Sequence, residues 1–365
     1  MALNCGIIGL TNTGKTTIFN CISNTKAEIT NFAFSATKSN IGMCEVRDER
    51  LQLIDNISHS KRIVPATVEI VDLPGLAKGA SQGEGVGNKF LADAQNMDAL
   101  IMVLRCFDDA NLPHIEGSID PVRDIEILNF ELQVRDLDLV TRKIERLQKL
   151  IRSGEKDAKA AAEVLEVYRN HLENFGNART APVAEEDRRH IQEMQLLTAK
   201  PMIIVCNVDD KSATTGNHYS DAVKEAMKDQ DAEVLIIAGR LESDIAELDD
   251  PDDRAAFLED ANLKEPGVNK LVRSAYKILN LQSFFTTGTD ETRAWTIHVG
   301  DTAPVAAGVI HSDLQRGFIR AEVMSVDDFL HYGSENAVKE AGKFRIEGKN
   351  YVVQDGDILN IRFNV

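Results

Sequence analysis

An apolar run that ends in a glycine-rich turn constrains this chain more than any other feature. Residues 3–9 form the run, and the turn GLTNTGKT occupies residues 9–16. This spelling, G-x-x-x-x-G-K-[ST], is typical of a turn that joins a buried strand to the start of a helix. Strands followed directly by helices belong to mostly parallel sheets, so the turn predicts an α/β fold.

Four more apolar runs support that prediction. They lie at residues 66–72, 99–105, 201–207 and 233–238, and turn or charged residues bound each of them. Runs of this length and composition are typical of buried strands. Because helical stretches lie between runs, the pattern indicates βαβ units in one parallel sheet.

Residues 124–199, between two of these runs, have a different pattern. Apolar residues recur at helical spacing over residues 127–151 and again over 164–175, and Ser153 and Gly154 interrupt them. The pattern predicts two long helices that fold back as a hairpin. An insertion of this kind projects from the sheet as an arm, because the strands on either side must still pair.

The last part of the chain predicts a separate module. Residues 282–365 contain strand-like runs, a short helical stretch and a tight turn, which indicate a small α+β unit. We therefore divide the chain into four parts. Residues 1–123 and 200–281 form an α/β domain, residues 124–199 form the helical insertion, and residues 282–365 form the module.

The composition excludes several classes of protein. A chain of 365 residues is longer than a single hydrophobic core usually organises, so we expect more than one domain. Its 43% apolar residues are enough to form a sizeable core. The formal net charge of −17 disfavours a DNA-binding or generally basic role. The five cysteines form no C-x-x-C pair, and the sequence leads us to expect neither a leader nor a membrane-spanning segment. We expect a cytoplasmic monomer with no membrane or DNA partner.

The glycine-rich turn carries the chemistry of a nucleotide site. Gly9 and Gly14 let the backbone wrap around a phosphate, with the N–H groups and the helix N-terminus directed at it. Lys15 can reach the β and γ phosphates, and the Thr16 hydroxyl can bind Mg²⁺. The turn therefore predicts that the protein binds a nucleoside triphosphate.

A second motif, D-x-x-G, follows the strand predicted at residues 66–72. Asp72 would deliver a carboxylate towards the magnesium ion, and Gly75 would place its N–H beside the γ phosphate. The glycine-rich residues 79–88 then predict a loop that orders around the γ phosphate and relaxes after hydrolysis. A plain flexible linker is the alternative.

A third motif, Asn207-Val208-Asp209-Asp210, ends a later strand. Loops of the N-K-x-D type bind guanine through their carboxylate, and Asp210 holds that position, while Val208 replaces the lysine. The residues of this motif are therefore compatible with binding of a guanine base. An ordinary strand-end turn is the alternative.

These motifs, together with the stretches GASQGEGVGNKFL, ELDD, RAWTIHVGDTAPVAAGVIHSDLQRGFIRAEV and DGDILNIRFNV, resemble the YchF family of Obg-like translation-factor ATPases over essentially the whole chain. The resemblance implies a P-loop NTPase G domain interrupted by a coiled-coil arm and followed by a TGS module of ubiquitin-like topology. It also implies ATP and Mg²⁺ as cofactors, a preference for ATP over GTP, slow hydrolysis and association with ribosomes.

The resemblance assigns site residues as well. The family's phosphate-binding run falls on six positions: Asn12, Thr13, Gly14, Lys15, Thr16 and Thr17. Its base motif, N-x-x-E, falls on Asn207 to Asp210, with a backbone contact to adenine from Val208. The absent lysine favours adenine, whereas Asp210 is what a guanine-binding loop carries. A GTPase of the broader Obg class is therefore the alternative.

Switch I departs from the family's F-x-T-x-x-P-N pattern at residues 34–40. Ala36 stands where the family has its magnesium-binding threonine. Thr37 could take that role after a shift of one residue, so Thr16 and Thr37 are the candidate metal ligands.

The residue that orients the attacking water is not supplied by the D-x-x-G motif. Leu76 follows D-x-x-G, where Ras-like enzymes carry a glutamine, and its side chain cannot hold water. His114 matches a family histidine considered for this role, and a neutral imidazole can accept a proton. An inert loop histidine, in a nucleotide-binding scaffold with negligible turnover, is the alternative.

The predicted arm carries a basic stripe inside an acidic protein. Five basic residues lie in this stretch, opposed only by Glu145: Arg142, Lys143, Arg146, Lys149 and Arg152. Arg142, Arg146 and Lys149 predict a contact with the backbone of ribosomal RNA. A solvated helix face is the alternative.

Replacing Ala36 by threonine should raise the ATPase rate, because the hydroxyl would restore a switch-I ligand for magnesium. The rate is measured at saturating ATP for the wild type and Ala36→Thr. Ala36→Val, which has the shape of threonine without the hydroxyl, is the control. An unchanged rate in Ala36→Thr would contradict the prediction.

Overall fold

The computed structural model describes residues 4–23, 27, 39–76, 79, 86–230, 232–248 and 250–364. The chain divides into two compact units. The first consists of Met1–Met43 and Glu69–Leu271, and the second of Cys44–Val68 and Val272–Val365.

The described residues form twelve strands. In chain order they are β1 Asn4–Ile8, β2 Asn40–Val46, β3 Ile63–Val64, β4 Ala66–Asp72, β5 Ala99–Cys106, β6 Met202–Val208, β7 Glu233–Ile237, β8 Leu281–Thr287, β9 Thr292–His298, β10 Phe318–Ser325, β11 Arg345–Glu347 and β12 Asp357–Phe363.

The same residues form fourteen α-helices. They are α1 Lys15–Ile22, α2 Glu49–Ser58, α3 Val86–Gln95, α4 Pro121–Arg152, α5 Lys156–Glu173, α6 Arg189–Gln192, α7 His218–Ala226, α8 Gly239–Glu247, α9 Pro251–Asp260, α10 Gly267–Ile278, α11 Ala303–Ile310, α12 Ser312–Arg316, α13 Val326–Tyr332 and α14 Glu335–Glu340. Short 3₁₀ turns lie at Ala178–Thr180, Glu185–Arg188, Leu197–Ala199 and Asp210–Ser212. Within the described ranges, no helix combines the length and apolarity that a membrane crossing needs.

The first sheet has the strand order β2-β4-β1-β5-β6-β7. Strand β1 pairs in parallel with β4 and β5, β5 with β6, and β6 with β7. Every residue of β5 and β6 is buried, as expected of central strands covered on both faces. The predicted α/β class is confirmed, and the carboxyl ends of these parallel strands lie at one edge.

Helices α4 and α5 form the predicted hairpin. Asp120 caps α4 through Arg123 N–H, and Pro121 occupies its first turn, where its missing N–H costs nothing. The hairpin turns at Gly154, whose φ of 92° lies in the left-handed region. Val140, Ile144, Leu147, Leu165 and Leu172 are among the buried residues that pack between the helices.

A buried carboxylate fastens the chain that returns from the arm to α4. Asp136 accepts hydrogen bonds of 2.7 Å from Leu197 N–H, Thr198 N–H and the Thr198 hydroxyl. Burial raises the pKa of Asp136 to about 6, although these three donors favour the ionised form. The base of the arm is therefore set by a few specific contacts as well as by apolar packing.

The second sheet has the order β11-β10-β12-β8-β9-β3. Phe284, Ile297, Ala303, Val323 and Leu359 are among the buried residues of its core. Its edge strand β3 pairs in parallel with β9. The first part of the G domain, predicted at residues 1–123, includes residues 63–64. The structure places these two residues in the second sheet. The four domain boundaries stay a prediction.

Candidate functional site

The turn after β1 has the backbone that its glycines allow. Gly9, Asn12 and Gly14 have φ values of 156°, 64° and 92°. A Cβ on Gly14 would lie 2.1 Å from Nδ2 of Asn207, and one on Gly9 would lie 2.5 Å from the carbonyl oxygen of Val103. Only glycine fits either place. Helix α1 begins at Lys15, so its N-terminal N–H groups line the turn in an anion-binding arrangement.

The Lys15 ammonium lies inside this turn. It donates a hydrogen bond of 2.7 Å to the carbonyl oxygen of Leu10, which also accepts from the Thr13 hydroxyl at 3.2 Å. Burial lowers the pKa of Lys15 to about 8, and the charge of Asp72 opposes the shift. The lysine is thus a buried cation held by one neutral carbonyl, an arrangement that a phosphate can replace favourably.

Thr16 and Asp72 form a pair of hard oxygen ligands. The Thr16 hydroxyl donates to Oδ2 of Asp72 at 2.8 Å. Oδ1 of Asp72 is buried and has no hydrogen-bond partner among the described residues. Burial raises the pKa of Asp72, and the positive charge of Lys15 opposes the shift. A divalent cation would satisfy this unpaired oxygen, so the pair fits Mg²⁺.

The D-x-x-G segment lies against the turn. A Cβ on Gly75 would lie 3.1 Å from the Thr11 hydroxyl and 3.5 Å from Nζ of Lys15. The next N–H, from Leu76, donates to the carbonyl oxygen of Gly9 at 3.1 Å. The Leu76 side chain is fully buried in the core of the first sheet, so it cannot contact a water molecule at the site.

Asn207 connects two loops of the site through its side-chain amide. Nδ2 donates to the carbonyl oxygen of Thr13 at 2.9 Å, and Oδ1 accepts from Gly239 N–H at 2.9 Å. We expected Asn207 to contact nucleotide, but in this structure both of its polar groups hold the backbone. Val208 is buried at the end of β6. Asp210 is exposed, and within the described part of the chain its carboxylate makes no hydrogen bond or ion pair.

His114 follows Pro113, whose carbonyl oxygen contacts the glycine-rich turn, but both nitrogens of the His114 ring already have hydrogen-bond partners. Its side chain is 2% exposed. Nδ1 accepts from Glu116 N–H at 3.1 Å, so Nε2 carries the proton and donates to Oδ2 of Asp124 at 2.9 Å. Asp124 is fully buried near the start of α4. Neither ring nitrogen is free to hold water in this state.

The other predicted site residues are placed as follows. Asn12 donates from Nδ2 to the carbonyl oxygen of Pro113 at 3.2 Å, and Thr17 is half-buried on α1. Ala36 and Thr37 lie outside the described residues. Of the predicted loop at residues 79–88, only Gly79 and the start of α3 are described.

Two residues of this region were missed by sequence reasoning. The N–H of Gly79 donates to Oε1 of Glu131 on α4 at 2.5 Å. Arg105, at the carboxyl end of β5, is buried, and its hydrogen bonds to other described residues all go to backbone carbonyls. A charged residue inside an otherwise apolar run was the signal for Arg105. Nothing in the sequence distinguishes Glu131 from the other acidic residues of α4.

Comparisons with known proteins agree over the whole chain. A family model described as a 50S ribosome-binding GTPase matches residues 4–151, and a C-terminal YchF-GTPase model, described as a protein of unknown function, matches residues 281–364. The Ribosome-binding ATPase YchF of Haemophilus ducreyi is 45% identical over 365 residues, which cover 100% of both chains. The chain belongs to the YchF family.

Further relatives of this YchF-family chain support the assignment. The Ribosome-binding ATPase YchF of Bacillus subtilis is 42% identical over 367 residues, with 100% of both chains covered. The solved structure of the Schizosaccharomyces pombe YchF GTPase has a TM-score of 0.87 at 31% identity, covering 99% of this chain and 98% of that one. A GTP binding protein from Pyrococcus horikoshii, at 17% identity and a TM-score of 0.62, shares the fold. The family and fold class predicted from the sequence are confirmed.

Replacing Asn207 by alanine should weaken nucleotide binding about 10- to 100-fold, because the two loops would lose two hydrogen bonds with a net worth of ~0.5–1.5 kcal/mol each. The dissociation constants of ATP and GTP are measured by titration. Asn217→Ala is the control, because Asn217 also holds backbone groups but contacts neither the turn nor Gly239. Equal affinity in Asn207→Ala and the wild type would contradict the bridging role.

Proposed function

We propose that this protein is a ribosome-binding ATPase that binds and slowly hydrolyses ATP with Mg²⁺. The observation that carries the proposal is the convergence of Lys15, Thr16, Asp72 and Gly75 on one glycine-rich turn. Relatives that match the full chain are named ribosome-binding ATPases, which supports the same activity.

The phosphates would occupy the turn at the N-terminus of α1. Lys15 would exchange the carbonyl oxygen of Leu10 for phosphate oxygens, and Gly75 N–H would face the γ phosphate. Thr16 and Asp72 would hold Mg²⁺, with Thr37 as a further candidate ligand. Bound there, the ion would neutralise charge that develops on the transferred phosphoryl group.

The base would lie beside residues 207–210. Val208 would offer a backbone contact to adenine, and there is no lysine to cover a guanine ring. Asp210 is exposed and unengaged among the described residues, so its carboxylate is available to a base. ATP is therefore the proposed substrate, and this free carboxylate is the specific observation that favours a GTPase as the second candidate.

Lengthening Asp210 to glutamate should increase the preference for ATP, because the carboxylate would leave the position that binds guanine N1 and N2. ATP and GTP are titrated in competition against the wild type and Asp210→Glu. Asp209→Glu is the control, since Asp209 caps the Asp210–Ser212 turn through its own side chain. A wild type that prefers GTP would favour the GTPase instead.

His114 is the proposed residue that orients the attacking water. The imidazole would first have to release Asp124, because both ring nitrogens are engaged in this structure. The backbone beside it already contacts the turn through Asn12 and Pro113. A resting position on Asp124 is consistent with slow hydrolysis. It also favours a nucleotide-binding scaffold with negligible turnover as an alternative.

His114→Ala should slow hydrolysis about 100- to 10,000-fold, the usual contribution of acid–base assistance, without weakening ATP binding. Single-turnover hydrolysis and the dissociation constant of ATP are measured on the same samples. His171→Ala, on α5, is the control. A wild-type rate in His114→Ala would contradict the role of His114, and no measurable turnover by the wild type would favour the scaffold.

The arm is the proposed contact with the ribosome. Arg142, Arg146 and Lys149 are exposed along one side of α4. Arg142 pairs with Asp138 at 2.8 Å yet stays 65% exposed, and no ion pair engages Arg146 or Lys149 within the described ranges. Their charges are available to RNA phosphates. Association with ribosomes would place the protein in the cytoplasm, and we propose that it acts as a monomer.

Charge reversal at Arg142, Arg146 and Lys149 should weaken ribosome binding. It should also lower the steepness of the plot of log binding constant against log salt concentration by up to about three. Cosedimentation with ribosomes is measured over a range of salt concentrations. The control reverses three exposed lysines outside the arm, Lys224, Lys228 and Lys343. Equal binding by the two triple variants would contradict the arm contact.

A further inference from the structure

Arg105 is a charged residue in an apolar place. It lies near the end of β5, where every position is buried, and the residue itself is 1% exposed. Its register partner on β6 is Asn207, the residue that connects two loops of the nucleotide site. Burial of a guanidinium is costly unless every donor finds a partner, so its contacts indicate what it does.

The three hydrogen bonds that the guanidinium donates within the described residues all go to one loop. Nη1 donates to the carbonyl oxygen of Leu112 at 2.7 Å, Nη2 to that of Asp109 at 3.2 Å, and Nε to that of Phe107 at 3.2 Å. The guanidinium carbon lies 4.8 Å from the centroid of the Phe107 ring. No carboxylate forms an ion pair with Arg105 in the part of the chain that the structure describes. The hydrogen bonds of the guanidinium therefore hold the backbone of the loop.

The loop that Arg105 organises connects the nucleotide site to the arm. At its far end, Pro113 accepts from Asn12 of the glycine-rich turn at 3.2 Å. The next residue, His114, donates to Asp124 of α4 at 2.9 Å. The main chain of residues 107–114 is thus held by Arg105 on one side and Asn12 on the other, while the His114 ring extends to α4.

We propose that Arg105 is a positioning residue for hydrolysis. It keeps the main chain at His114 beside the glycine-rich turn while the imidazole exchanges Asp124 for the attacking water. This proposal rests on the role assigned to His114 under the proposed function. A side chain that changes partner reaches its second position accurately only if its Cα stays in place, and a displacement of about 1 Å can cost ~100-fold in rate.

Lysine cannot replace arginine in this role. The guanidinium presents several donors in a rigid plane, and three of its N–H groups reach three carbonyls that are spread over the loop. An ammonium group keeps the charge but has a single nitrogen at the end of a flexible stem. Arg105→Lys therefore removes the geometry and preserves the charge.

The test uses the full-length wild type, Arg105→Lys, His114→Ala and the double variant. Single-turnover ATP hydrolysis and the dissociation constant of ATP are measured for each. Arg105→Lys should lower the rate about 10- to 100-fold with unchanged ATP affinity. The double variant should be no slower than His114→Ala, because both substitutions act on the same step.

Two further variants separate positioning from general destabilisation. Arg50→Lys is the matched control. This substitution also removes hydrogen bonds of a planar guanidinium, here to Asp48 and Asp355, but Arg50 lies in the second unit. Its rate should equal that of the wild type. Asp109→Ala, at an exposed position whose carboxylate accepts from Asn111 N–H at 2.9 Å, should lower the rate even if Arg105→Lys fails to fold.

The outcomes distinguish this proposal from the one it rests on. A wild-type rate in His114→Ala would contradict the role of His114, and the positioning role with it. A slow His114→Ala beside a wild-type rate in folded Arg105→Lys, or in Asp109→Ala where Arg105→Lys does not fold, would overturn the positioning role alone. A fall in rate matched by an equal fall in ATP affinity, or one that adds to His114→Ala, would also overturn it.

Discussion

Parallel pairing of β1, β4, β5 and β6 is the constraint on which the site depends. Because these strands run the same way, the residues that follow them emerge at one edge of the sheet. The glycine-rich turn follows β1, the D-x-x-G motif begins at the last residue of β4, and the loops that contain His114 and Asp210 follow β5 and β6. Segments that are far apart in sequence therefore meet at the glycine-rich turn.

Buried polar side chains hold these loops by their backbones. Asn207 spans the glycine-rich turn and Gly239, and Arg105 gathers three carbonyls of the loop before His114. Glu131 accepts the N–H of Gly79, and Asp136 holds the base of the arm. Each of these four side chains is buried, and a buried polar side chain without a partner would be costly, so its contacts favour one loop conformation. The loops that carry the charged site residues are thus held in place by hydrogen bonds to their backbone groups.

Much of the fold was predictable because its signals are local. The five apolar runs became β1, β4, β5, β6 and β7, and the break at Gly154 became the turn of the hairpin. Lys15, Thr16, Asp72 and Gly75 came together as their motifs predict. The pairing of β3 with β9 was not predictable, because two residues carry too little pattern to choose between sheets. The docking of His114 on Asp124 was missed for a similar reason, since nothing in either residue's neighbourhood specifies the other.

The sequence by itself determined the α/β class, the glycine-rich turn, the hairpin and the family, because each depends on the spacing of residues that are close along the chain. Only the tertiary structure decided which side chains are free to react. It placed His114 on Asp124, engaged both ends of the Asn207 amide and left Asp210 exposed. The physical reason is that hydrogen-bond partners of buried polar groups are chosen by three-dimensional packing, which a linear motif does not contain.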